Sequence, residues 1–214
     1  LRHIVGFALT YGRRMKDGKL AADGEPERED QFAFFTAFVV SVGETWWLVT
    51  AGHIMRDVKP VIENGEIEVR GRSLADYFGV DAKHREPVPF DMFGEPTIQV
   101  YDKALGLDFA LIPIGGLCRK NLEANGILPL PINWKREGKY DDFYGFGVVG
   151  FPEEYSMRVE MSKPQQASGQ VRPVLVPLRQ EDVPPKKGQL PRFVGRILDM
   201  GNQKSIVGMS GGPI

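Results

Sequence analysis

Glycine and proline cut this 214-residue chain into short apolar runs, and that punctuation favours a fold of many brief strands. The 25 Gly and 16 Pro are spread along the whole length, leaving few stretches free to carry a long helix. "FAFFTAFVVSV" (32–42) and "TWWLVTA" (45–51), separated by Gly-Glu, predict a β-hairpin. "IENGEIEV" (62–69), with Asn-Gly between short β-type segments, predicts another. "TIQVYD" (97–102), "DFALIPI" (108–114), "FYGFGVVGF" (143–151), "SMRVEMS" (156–162), "VRPVLVPL" (171–178) and "FVGRILDM" (193–200) are further strand candidates. Only "SLADYFG" (73–79) and "CRKNLEAN" (118–125) suit short helices. Residues 72–94, with "EPVPF" and "FGEP", and "VPPKKGQLP" (183–191) predict surface loops. The Gly115–Lys139 stretch, holding "GG", "NG" and "LPLPIN", predicts a connection between two strand-rich halves. The expected class is all-β, a sandwich or barrel.

Composition narrows the function classes. Lys plus Arg number 27 and Asp plus Glu 28, so no field of one sign argues for nucleic acid or an anionic membrane. The single cysteine, Cys118, excludes an intrachain disulfide, and there is no Asn-x-Ser/Thr acceptor. Both lean towards a reducing, cytoplasmic setting or a bacterial source. No apolar run approaches the roughly 18 residues needed to span a bilayer. The first residues, "LRHIVGFALTYGRRMKDGK", lack a signal-peptide core of useful length, and the initial Leu suggests that the natural start lies upstream.

Three segments carry chemistry. "WWLVTAGHIM" (46–55) ends a β-type run in Thr-Ala-Gly-His, "LGLDFALIPI" (105–114) sets an Asp at the head of a strand, and "GMSGG" (208–212) puts a Ser among glycines. Acyl transfer needs a hydroxyl nucleophile, a base to take its proton and a carboxylate to orient that base. It also needs backbone N–H groups aimed at the developing oxyanion. Gly208 and Gly211 let the backbone turn tightly around Ser210, and the N–H groups of Gly208 and Ser210 are the candidate oxyanion hole.

Together the three segments resemble the chymotrypsin-like (trypsin-like) serine proteases. His53 sits in "TAGH", similar to the family's Thr-Ala-Ala-His; Asp108 sits in "LDFAL", similar to Asp-(Ile/Phe)-Ala-Leu; Ser210 sits in "GMSGGP", similar to Gly-Asp-Ser-Gly-Gly-Pro. The order His53, Asp108, Ser210 is the chymotrypsin order. The resemblance implies two antiparallel six-stranded Greek-key β-barrels with the triad between them. The first barrel would cover residues 1–115 with His53 and Asp108, a linker 116–142, and the second barrel 143–214 with Ser210. It implies a serine endopeptidase acting on peptide or protein substrates, with no cofactor and no metal. A catalytically inactive module binding a peptide or partner chain through the same cleft stays open as an alternative.

Departures from the family refine these expectations. In animal members a new N-terminal amine pairs with the Asp before the serine; Met209 stands there and offers no carboxylate, so the resemblance is nearer to bacterial-type domains and the site is expected to form without N-terminal cleavage. The residue six before the serine often lies at the base of the S1 pocket. Here it is Lys204, beside Ser205, and a pocket-facing Lys204 would favour an acidic substrate side chain, whereas a loop of different length would turn it to water. Phe143 to Ile214 offers too few strands for a closed barrel, so about 30 further residues, or a partner chain, are expected to complete it.

Two other features carry no function. "GFGVVG" (145–150) matches the letters of a dinucleotide loop, but "FPEEY" follows where a helix must open. Cys118 lies in the predicted connection, far in sequence from His3 and His84, and lacks the partners of a zinc site.

Overall fold

A computed structural model of the chain describes residues 2–13, 31–75, 87–132, 146–152, 160–163, 166–168, 174–184, 186–188, 194–202 and 204–212. The strands are β1 (Ile4–Arg13), β2 (Gln31–Val42), β3 (Thr45–Thr50), β4 (Ile67–Ala75), β5 (Val88–Pro89), β6 (Ile98–Asp102), β7 (Leu107–Pro113) and β8 (Leu130–Pro131) in the first part of the chain. β9 (Phe146–Gly150), β10 (Glu160–Lys163), β11 (Gln166–Ser168), β12 (Val174–Gln180) and β13 (Gly195–Ile197) follow. Two helices, α1 (Gly52–Glu63) and α2 (Gly116–Ala124), sit among them. The protein is mostly β, as the punctuation predicts.

The large sheet runs in the order β5-β4-β1-β2-β3-β7-β6, every neighbour antiparallel, with β8 added parallel to β2. Among the described residues it is an open sheet and not the closed six-stranded barrel expected, since β5 and β6 form its two free ends. It is nonetheless curled: α1 packs against β7 and β6 from one end and β4 from the other. A three-stranded sheet, β13-β12-β9, and the pair β10-β11 make up the later part.

The two faces of β1 and β2 explain why both strands are apolar almost throughout. Val5, Phe7 and Leu9 of β1, with Ala37 and Val39 of β2, point into the main core beside Trp46, Leu48, Ala110 and Ile112. The opposite faces carry Ile4 and Phe34, which pack on Val149 and Phe151 from the later part of the chain. Side chains alternate along a strand, so a strand buried on both faces loses its apolar–polar alternation. Gly6 makes room at this seam: a Cβ there would fall about 1.8 Å from the Phe34 ring. The Phe34 ring then meets Phe151 edge-on at 4.8 Å. Fully burying such a ring is worth roughly 1.5–3 kcal/mol.

Several sequence expectations change. Asn64-Gly65 is no hairpin turn; it ends α1, with the Asn64 N–H on the Pro60 carbonyl and Gly65 at φ 69°. Ile54, Met55, Val58 and Ile62 line the buried side of α1 at helical spacing, a pattern obscured by the internal Pro60. Ser73–Ala75, expected to open a helix, finish β4, while residues 76–79 lie outside the described residues. Within the expected 72–94 loop, β5 pairs with β4 despite its proline, which an edge strand tolerates. The helix expected near 118–125 is α2. In the predicted connection, Leu122 and Ile127 join the main core, and β8 extends the sheet.

Candidate active site

Thr50 ends β3, Ala51 is extended (φ −72°, ψ 138°), and α1 starts at Gly52, which sets His53 in its first turn. The first N–H groups of a helix have no partner within it. No side chain of Ala51 can cap α1. Asp108 does so from across the sheet: its Oδ1 accepts the His53 N–H at 2.8 Å while its Oδ2 lies 2.6 Å from His53 Nδ1. The Nδ1–H tautomer satisfies this contact with Oδ2 as acceptor, and it leaves the Nε2 lone pair outside the contact. The positive end of α1 also favours the carboxylate.

Sheet register brings the pair together. Thr50 pairs with Ala110, so Asp108 lies two residues beyond the end of that ladder, level with the start of α1. Both side chains are about one-third exposed, 32% for His53 and 38% for Asp108, so the imidazole remains reachable from solvent. Gly52 is fixed by close approach: a Cβ there would stand 2.5 Å from the Val100 carbonyl oxygen and 2.9 Å from that of Phe109. This accounts for Gly where the resembling motif has a second Ala. The Gln99 amide nitrogen donates to the Gly52 carbonyl at 2.9 Å.

Ser210 is exposed on a turn whose neighbours are held tightly. Met209 before it is 3% exposed and packs with Val176 and Leu178. Gly208 and Gly211 have φ of 91° and 89°, which disfavours any side chain at either position. A Cβ on Gly211 would fall 2.6 Å from the Thr36 carbonyl oxygen and 2.8 Å from the Ala51 nitrogen. One on Gly212 would fall 1.9 Å from the Val149 carbonyl oxygen. The residue after Ser210 therefore abuts Ala51, two residues before His53. Among the described residues, neither the Gly208 nor the Ser210 N–H has an acceptor, and no hydrogen bond joins Ser210 to His53.

Two buried threonines secure this meeting. Thr36 Oγ1 donates to the Gly208 carbonyl at 2.9 Å and accepts the Phe151 N–H at 2.9 Å. Thr50 Oγ1 donates to the Thr36 carbonyl at 2.8 Å. Both are at most 1% exposed, and buried hydroxyls need such partners. The sequence offered one signal for Thr36, a lone polar residue inside "FAFFTAF", which motif reading passed over.

Of the other sequence candidates, Lys204 is exposed and Ser205 half-buried, with Ser205 Oγ accepting the Val207 N–H at 3.0 Å. Burial first, and then the Glu95 charge, push the Cys118 thiol up to about 11, far from a nucleophilic thiolate. Beside His53, Asp57 is held below the usual carboxylate range chiefly by its hydrogen bonds with Arg56. Among the described residues no group of three or more His, Cys, Asp or Glu gathers as a metal site. No helix among the described residues is long and apolar enough to cross a membrane. Comparisons with protein-family models, curated proteins and solved structures gave no match.

Proposed function

We propose that this chain is a trypsin-like serine endopeptidase with Ser210 as nucleophile, His53 as general base and acid, and Asp108 as the group that holds the imidazole. The observation that supports this most is the double grip of Asp108 on the His53 N–H and Nδ1, with the backbone beside Ser210 packed against Ala51. A structural cap would need one carboxylate oxygen; the second fixes the tautomer that a general base requires.

In this reading Ser210 Oγ attacks the scissile carbonyl and His53 Nε2 takes its proton. The oxyanion accepts from the free N–H groups of Gly208 and Ser210. The amine leaves with the proton from His53, and water then hydrolyses the acyl-enzyme by the same steps in reverse. An acidic side chain before the scissile bond is the feature an engaged Lys204 would favour.

The finer fold assigned here is two Greek-key barrels. The order β4-β1-β2-β3 is that of a Greek key, and β7 and β6 would bring the first barrel to six strands. The second reading, an inactive peptide-binding module, is favoured by the missing hydrogen bond between Ser210 and His53, although such bonds are often loose without substrate. A fluorophosphonate decides: the wild type should be labelled at Ser210, and Ser210→Ala should lose both labelling and peptide hydrolysis, by several orders of magnitude. Equal turnover by both would remove Ser210 from the chemistry.

A further inference from the structure

The peptide unit that joins Gly208 to Met209 is pinned at both ends. Its carbonyl oxygen accepts from Thr36 Oγ1 at 2.9 Å, and its N–H donates to the Ile206 carbonyl at 3.1 Å. The Gly208 and Ser210 N–H groups belong to the peptide units on either side. Fixing the central plane leaves those two flanking N–H groups to be set by the Gly208 and Met209 dihedrals alone. Gly208 is a glycine at φ 91° and has little torsional preference of its own, so this turn needs an outside hold. Met209 brings burial but no charge to be paired. The same Thr36 presents its carbonyl to Thr50 Oγ1, the residue three before His53.

We infer that Thr36 is a positioning residue that, through its one hydroxyl, sets the Gly208 and Ser210 N–H pair and ties the Ser210 turn to β2. This rests on the proposed protease reading for its chemical consequence, but not for its structural one. Thr36 touches no reacting atom. Its hydroxyl makes one donation and one acceptance, to Gly208 and from Phe151, so a shape-matched side chain without oxygen removes both.

The test compares wild type, Thr36→Ser and Thr36→Val by two readouts: the rate of fluorophosphonate labelling at Ser210, and the amide NMR signals of residues 206–212. Losing an oxyanion donor typically costs about 10²–10³ in rate, so a misaimed pair in Thr36→Val should slow labelling by about 10- to 100-fold. Thr36→Ser should stay within about threefold of wild type, and the loop amides should shift or broaden in Thr36→Val only. Thr36→Val labelled at the wild-type rate with unchanged loop amides overturns the inference and leaves Ser210 as the nucleophile. Wild type that is never labelled defeats the protease reading instead, and the loop amides then decide the inference alone. If Thr36→Val does not fold, Thr36→Ser carries the test: wild-type labelling and amides support the hydroxyl, and a tenfold loss overturns it.

Discussion

Replacing Gly52 by Ala should damage both stability and the His53–Asp108 pair. The added methyl would meet three backbone atoms: the Val100 oxygen at 2.5 Å, the Phe109 oxygen at 2.9 Å and the Phe109 nitrogen at 3.0 Å. None is the yielding end of a side chain, so either β6 and β7 move or the start of α1 does. Overpacking of this kind costs about 1–3 kcal/mol. A displaced α1 also loses the Asp108 hydrogen bond to the His53 N–H, worth about 0.5–2 kcal/mol as a cap. Against this, Ala in place of Gly stiffens the unfolded chain and returns about 0.4–1 kcal/mol. The balance is a destabilisation of about 0.5–5 kcal/mol, read as a lower denaturant midpoint at unchanged slope. Because Asp108 and His53 separate when α1 shifts, Ser210 labelling should fall by about 10²-fold, the usual effect of a misplacement near 1 Å. A Gly52→Ala protein as stable as wild type and labelled at the same rate would refute the reasoning, showing that the strand ends yield at little cost.

Three further outcomes concern Asp108 and Cys118. Asp108→Asn should keep the fold but present a donor or the wrong tautomer to His53, lowering the labelling rate by about 10⁴-fold; a loss under tenfold would show that Asp108 merely caps α1. Cys118, held near 11 by burial, should be alkylated by iodoacetamide at pH 8 at least about tenfold more slowly than in the unfolded chain, since free thiols titrate at about 8.5. Its raised value also means that this site's contribution to stability is present below pH 9 and is lost as pH rises from 9 towards 11; stability independent of pH there, in a comparison with Cys118→Ala, would contradict the burial.

The sequence by itself determined the class of fold and the identity of the candidate chemical groups. Scattered glycines and prolines and β-type runs were enough for β2, β3, β6 and β7, because those signals are local. The three motifs named His53, Asp108 and Ser210 because the residue types each step of acyl transfer needs are few. Tertiary structure decided what depends on contact across the chain. β1 sits between β2 and β4 with faces in two cores, a placement that no local signal in its run encodes. α1 was hidden by Pro60, and its helical start is satisfied by a carboxylate 55 residues away. The need for Gly at 52, 211 and 212 arises from backbones that approach only after folding. Thr36 gains its importance from partners 115 and 172 residues away, Phe151 and Gly208. Local propensity could not reveal these contacts, because each is the meeting of segments whose separation in sequence carries no record of their distance in space.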